Sequence, residues 1–346
     1  MGLSVKSVVF FNNKGGVGKT TLVCNVASYI SIHKSKRVLL IDADPQCNAT
    51  QAMLSDEICE KIYLDRDPNL PTLFDYLAPI EAGEPAISKK IIPFLGTQNQ
   101  FKTDLIPGHP KISLVEDKLS SAWNDMQAGT LAAYRITNWC SQLFENLESR
   151  YDLVIIDVGP SLGALNRTVL LSVDYLVTPF GCDIFSLLGI QNIASWLKNW
   201  QRQYTRSIAN VKEDRPGEIE NYPIITDSDT KFRFAGYSVQ QYVTKTFKSG
   251  KRPVKAYDKI LQEIPITVEV NLSFLKSRNL QTNDLELGHI PFLYSLVPLA
   301  QAHRYPIHEL RKSGKLMGNQ FKQVEDYQKI MNIFCDKLMQ NIGIEQ

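Results

Sequence analysis

Phe10-Phe11-Asn12-Asn13-Lys14-Gly15-Gly16-Val17-Gly18-Lys19-Thr20-Thr21 (FFNNKGGVGKTT) decides the fold. Its second half, Gly18-Lys19-Thr20, ends a phosphate-cradling loop. Glycines let successive backbone N–H groups turn inward around phosphate oxygens, Lys19 reaches the β- and γ-phosphates, and the Thr20 hydroxyl binds Mg²⁺. The flanks agree with that reading. Ser4–Phe11 (SVKSVVFF) is β-branched and aromatic enough for a buried parallel strand, and Thr20–Ile32 predicts a helix whose positive end points at the same anion. Strand, glycine loop and helix in that order are the setting that confirms such a loop and point to an α/β chain.

The loop carries one lysine more than the phosphates need. Asn13 stands where the ordinary GxxxxGK[ST] pattern has glycine, and Lys14 follows it. Asn tolerates left-handed backbone, so the turn survives the exchange. Lys14 reads either as a solvated loop charge or as a second anion-binding cation, and a cation beside a phosphate loop is rarely idle.

The run KGGVGKTT, Lys14 to Thr21, resembles the deviant Walker A signature of the ParA/MinD-type ATPases, closest to the ParA partition ATPases. The resemblance implies an α/β P-loop NTPase fold with a doubly wound, mostly parallel sheet, and ATP and Mg²⁺ as cofactors, with Lys14, Gly15, Gly16, Val17, Gly18, Lys19, Thr20 and Thr21 at the nucleotide. It also implies a homodimer formed on ATP binding, in which Lys19 grips its own phosphates and Lys14 reaches the nucleotide of the other subunit.

Further motifs follow along the chain. Arg37–Asp42 (RVLLID) predicts a second strand, and a carboxylate at the carboxyl end of a parallel strand lies where open α/β sheets bind ligands. The stretch DADPQCNAT, Asp42 to Thr50, resembles the same family's D-x-D-P-Q-x-N-x-T element. That resemblance implies a catalytic role for Asp44, polarising the attacking water, and a place in the Mg²⁺ shell for Asp42; Cys47 stands where the family usually has glycine. YDLVIIDVGPS, Tyr151 to Ser161, is an apolar strand stopping at an acid, which fits Asp157 as the Walker B aspartate holding a Mg²⁺-bound water. Gly159 replaces the first of two prolines common there. By the same resemblance Asn166 sits at the dimer face, Asp183 stands where a glutamate is usual, and Pro298 contacts adenine beyond a last strand at Pro291–Pro298. A closing helix, Val324–Met339, carries an apolar stripe at i, i+3, i+4 spacing.

The chain's 346 residues, 44% of them hydrophobic, read as one P-loop ATPase domain over 1–346. Insertions are expected at about 53–123 and 207–230; within the first, Pro79–Lys102 has no counterpart in the family. Six cysteines are scattered without a C-x-x-C pair, which argues against disulfides and zinc and for a reducing cytoplasm. There is no run of eighteen apolar residues, so no membrane span is expected.

The net charge of +2 means that any anion-binding surface must be local. Lys231–Lys259 holds eight basic residues against one acid, Asp258, and Lys198, Arg202 and Arg206 recur every four residues on a helix. A solvated face is one reading of this charge. The other is contact with the phosphate backbone of nonspecific DNA, for which Lys245, Lys248, Lys251, Arg252 and Lys255 are the candidates. The functions that follow are an ATPase that rides on nucleoid DNA and positions plasmid, chromosome or other cargo, with hydrolysis stimulated by a ParB-like or effector partner, or the same switch in a mobile-element or defence cassette. A MinD-like membrane-positioning ATPase would need an amphipathic basic tail, and DKLMQNIGIEQ is short and weakly basic. A ligase of the dethiobiotin-synthetase type would need a small-substrate pocket that no segment announces.

Overall fold

The computed structural model describes residues 5–147, 149–227, 231–242, 244–247, 250–253 and 255–345, with backbone alone over 241–257. Its strands are β1 (Lys6–Phe10), β2 (Val38–Asp42), β3 (Asp104–Ile106), β4 (Leu153–Asp157), β5 (Tyr175–Gly181), β6 (Arg233–Tyr242), β7 (Thr244–Phe247), β8 (Gly250–Pro253) and β9 (Glu286–Pro291). Seven form one sheet in the order β3-β2-β4-β1-β5-β6-β9, every neighbouring pair parallel. β7 and β8 pair separately as an antiparallel hairpin.

Helices cover both faces, which is why the central strands read as unbroken apolar runs. Alternate residues serve opposite cores. Val9, Leu39, Ile41, Val154 and Ile156 join one with Trp123 and Trp139; Val8, Phe10, Leu40, Leu153 and Ile155 join the other with Val23, Phe334 and Leu338. The helix after the glycine loop, α1, spans Lys19–His33. The closing helix spans Gln320–Ile342 and buries Tyr327, Met331, Phe334, Cys335 and Leu338 of the expected stripe together with Val324, while Ile330, also expected there, is half-buried. Leu338, Met339 and Ile342 belong to the core formed with Val8 and Phe10. Among the described residues no helix is long and apolar enough to cross a membrane.

The segments expected as insertions are built into the fold. Within 53–123 a short helix (Leu73–Glu81), β3 and a second helix (Ser113–Gln127) follow one another, and β3 forms an edge of the main sheet. Ile87 and Ile91, from Pro79–Lys102, pack in the same core as Val9. The start of 207–230 continues the long helix Ile184–Asp214.

One element differs from expectation. The last strand is Glu286–Pro291, not Pro291–Pro298, and a helix begins at Leu296. Tyr294 adopts φ 41°, which turns the chain out of the sheet, and Phe292 and Tyr294 are exposed. Pro298 sits in the first helical turn, where its missing N–H leaves no helical hydrogen bond unmade. The apolar run PFLYSLVP thus imitates a buried strand while serving as a turn and a helix start.

Candidate nucleotide site

Register assembles the site. Phe10 and Asp42 both pair with Asp157, so the carboxyl ends of β1, β2 and β4 bring the glycine loop and two carboxylates together. Gly16 and Gly18 adopt φ 74° and 81°, left-handed turns that a Cβ would strain, and Gly18 caps α1. Asn12 fixes the front of the loop: its Nδ2 donates to the Pro179 carbonyl at 2.6 Å and its Oδ1 accepts from the Lys14 N–H at 3.0 Å.

The loop lines a cleft of about 650 Å³, walled elsewhere by Asp44, Gln46, Pro160, Arg304 and Ile307. Lys14 through Thr21, the residues expected at the nucleotide, all line this cleft. Lys19 is buried, and its Nζ donates to Asp157 Oδ1. The second Asp157 oxygen is buried with no hydrogen-bond partner among the described residues. A buried, unpartnered carboxylate oxygen beside the Thr20 loop is the kind of hard donor that Mg²⁺ takes, directly or through water, so these residues fit the ion.

Asp44 is 4% exposed and accepts from the Gln46 N–H at 3.0 Å. Burial pushes its carboxyl up; the Gln46 N–H and Lys19 pull the other way. A Cβ at position 159 would stand 3.2 Å from Asp44 Oδ1, so Gly159 leaves this carboxylate room. Asp42 is fully buried, and burial together with Asp157 raises it to about 7. Its Oδ2 accepts from the N–H and hydroxyl of Thr50 at 2.8 and 2.7 Å, and its Oδ1 from the Asp44 N–H at 3.3 Å. Asp42 therefore braces residues 44–50 from behind. Cys47 takes φ 54°, a left-handed backbone that glycine would adopt with less strain.

Lys14 does not hang free. Its Nζ donates to Asp183 Oδ2 at 2.5 Å, with both side chains a little over one third exposed. Asp183 is also the N-cap of the Ile184–Asp214 helix, its Oδ1 accepting from the Ser186 N–H at 3.2 Å. Asn166, expected at the dimer face, is buried at 3% exposure; its Nδ2 donates to the Gly159 and Ser161 carbonyls and holds the loop after Asp157. Glu116 caps the next helix, Ala164–Ser172, accepting from the N–H groups of Ala164 and Leu165. No local pattern announces this cap, because Glu116 lies 48 residues before its partner.

A second, mostly apolar slot of about 280 Å³ opens beside the cleft, sharing Gly18, Thr21 and Val297 with it. Gln240, Pro291, Phe292, Tyr294 and Pro298 line it. Pro298 thus reaches the site from a helix rather than a strand. Gln240, near the carboxyl end of β6, was missed; a polar residue at the end of a parallel strand is the signal that could have found it.

Of the DNA candidates, Lys245, Lys251 and Arg252 lie on the hairpin, where Lys245 is paired with Arg252, and Lys255 opens the Lys255–Leu272 helix. Lys248 lies outside the described residues. Lys198, Arg202 and Arg206 are exposed on one side of the long helix and line a shallow groove with Phe274, whose ring lies 4.7 Å from Lys198 Nζ.

Comparison with known proteins agrees with this geometry. The AAA domain family model AAA_31 matches residues 5–210. The virulence plasmid ParA family protein pGP5-D of Chlamydia psittaci is 31% identical over 55% of this chain and 62% of its own length. The chain spans less than two thirds of the length of the curated relatives it matches at 31–33% identity. Among solved structures, protein DIP2308 of Corynebacterium diphtheriae is 34% identical with a TM-score of 0.72, over 90% of this chain and 100% of that one. The structure of pNOB8 ParA bound to nonspecific DNA shares the fold, at 18% identity and a TM-score of 0.53, over 99% of this chain and 100% of that one. The chain belongs to the AAA_31 family of AAA-domain proteins and is a ParA-type P-loop ATPase.

Proposed function

We propose that this chain is an ATP-driven dimerising switch that binds nonspecific nucleoid DNA in its dimeric form and positions or segregates plasmid, chromosome or other cargo. The observation that carries the reading is the placement of two lysines on one loop. Lys19 lies buried at the base of the cleft, while Lys14 sits at its lip, part-exposed and held by a replaceable partner, Asp183. A subunit needs one lysine for its own phosphates; the second can serve a nucleotide across a two-fold axis.

The steps follow from the residues. The triphosphate enters along the loop N–H groups and the N-terminus of α1, with its base in the apolar slot by Gln240 and Pro298. Lys19 turns from Asp157 to the β- and γ-phosphates, which frees both Asp157 oxygens. Bound Mg²⁺ neutralises phosphate charge, and Thr20 and Asp157, with Asp42 behind them, are the residues that would hold it. Lys14 leaves Asp183 for the other subunit's phosphates. Asp44 polarises a water for in-line attack and accepts its proton; the new P–O bond forms as the β–γ bridging bond breaks, and ADP and phosphate depart. Loss of the γ-phosphate removes the anion that holds Lys14 across the interface, and the subunits part.

Dimerisation duplicates every surface charge by symmetry, so the β7–β8 hairpin and the start of the next helix supply twice the phosphate contacts. DNA binding thereby tracks the nucleotide, and a partner protein that speeds hydrolysis releases the dimer from DNA. The test is the mass of the particle and its retention on random duplex DNA, with ATP and without. A monomer that binds DNA equally in both conditions overturns the reading.

A further inference from the structure

At the far end of α1, away from the glycine loop, three side chains converge that the ATPase mechanism does not use. His33 lies in the last turn of α1; His308 and Glu309 lie in the short helix Ile307–Ser313. His33 Nε2 is 3.0 Å from Glu309 Oε1, His308 Nδ1 is 3.7 Å from the same oxygen, and the three candidate ligand atoms lie within 4.8 Å of one another. Lys19 and His33 are fourteen residues apart on one helix, so this cluster sits about 21 Å from the phosphate loop.

Ion pairing accounts for only part of the arrangement. Glu309 has His33 on one oxygen and Lys312 on the other. His308, however, is 0% exposed, and neither of its ring nitrogens has a hydrogen-bond partner among the described residues. A buried imidazole carries one N–H and one lone pair that both need partners, and water cannot reach them. The ring is held in place: it meets Tyr29 at 5.1 Å and His33 at 5.3 Å, both edge-on, and Gln328 Nε2 donates to the His308 carbonyl at 2.6 Å.

We propose that His33, His308 and Glu309 form a binding site for a zinc-type transition-metal dication, separate from the nucleotide-bound Mg²⁺. Two imidazoles and one carboxylate suit zinc, whose Zn–N and Zn–O distances of about 2.0–2.2 Å put tetrahedral ligands roughly 3.3 Å apart. The separations of 3.0 and 3.7 Å to Glu309 Oε1 bracket that value. The His33 side chain is 33% exposed, which leaves the fourth position open to a water. Lys312, itself 65% exposed, occupies Glu309 Oε2 and leaves Oε1 as the ligand. Scattered cysteines leave no thiolate set for zinc, whereas the fold brings together histidines from positions 33 and 308.

The ion would clip the end of α1 to the segment that begins at Ile307. Ile307 lines the nucleotide cleft, and its N–H already donates to Asn25 Oδ1 in the middle of α1 at 2.8 Å. Metal binding therefore adds a second tie between these two elements and stabilises the folded chain by mass action.

The test uses tag-free, full-length protein, stripped with chelator, dialysed and kept free of nucleotide, titrated with Zn²⁺ in a calorimeter and with Co²⁺ in a spectrophotometer. The expected result is one ion per chain, a Tm that rises with free Zn²⁺, and a tetrahedral Co²⁺ spectrum without thiolate charge transfer. His33→Gln, at a part-exposed position, and Glu309→Gln should each weaken binding beyond the roughly 10–100-fold that losing an outer-shell partner costs. Circular dichroism establishes that both variants are folded. Absence of a one-to-one isotherm, affinity unchanged in folded His33→Gln, or a thiolate band that assigns the ion to cysteine would each overturn the proposal.

Discussion

Asp183→Asn should tighten the ATP-dependent dimer. In the lone subunit Asp183 holds Lys14 at 2.5 Å, and Lys14 must leave it before it can serve another subunit's phosphate. The side chains are 38% and 36% exposed, so the bare Coulomb energy of so short an ion pair is screened and the pair is worth about 0.5–1 kcal/mol. Two such pairs break per dimer, which gives about 1–2 kcal/mol, or roughly 5- to 30-fold in the dimerisation constant. Asn keeps the second role of this residue, because an Asn N-cap accepts from the Ser186 N–H much as Asp does. The substitution therefore separates the latch from the cap. The measurement is sedimentation equilibrium in saturating ATP, made in an Asp44→Ala background so that hydrolysis does not empty the site. A dimer that is unchanged or weaker with Asp183→Asn would refute the latch; a weaker one would mean that Asp183 acts within the dimer itself.

Lys14→Ala should leave ATP affinity within about threefold while lowering the dimerisation constant by about 10²–10⁴, since in the proposed dimer it would remove two charge-assisted phosphate hydrogen bonds at about 1.5–3 kcal/mol each; light scattering with and without ATP measures it, and a normal dimer refutes the role in trans. Asp44→Ala should retain ATP binding and lower turnover by about 10²–10⁴, the range for a positioned general base; steady-state phosphate release at the wild-type rate would remove Asp44 from the reaction. Neutralising Lys245, Lys251, Arg252 and Lys255 should reduce the slope of log affinity for duplex DNA against log salt by about 0.9 for each DNA phosphate no longer neutralised. An unchanged slope, read by anisotropy in ATP, would move the DNA surface elsewhere, with the Lys198, Arg202 and Arg206 groove as the next site to neutralise.

Much of the nucleotide site was legible from local pattern. The glycine loop, β1, β2 and β4 each announce themselves within a dozen residues, because strands buried on both faces must be apolar throughout and must end where the ligand begins. Lys19, Asp42 and Asp157 could be named on that basis and Lys14 and Asp44 from the family resemblance of their motifs, and the structure gathers all five at the carboxyl ends of those strands. The last strand shows what local composition leaves open. PFLYSLVP has the make-up of a strand, but a positive φ at Tyr294 and a helix starting at Leu296 give it another form.

The sequence by itself determined the phosphate-binding loop, the parallel sheet beneath it and the presence of a surplus lysine, since each depends on residues a few positions apart. Only the tertiary structure decided what those residues touch: Lys14 on Asp183, Glu116 on the helix at Ala164, Gln240 beside Pro298, and His33 against His308 and Glu309. These pairings join segments separated by tens to hundreds of residues, and they arise from sheet order and helix packing, which no local spacing encodes.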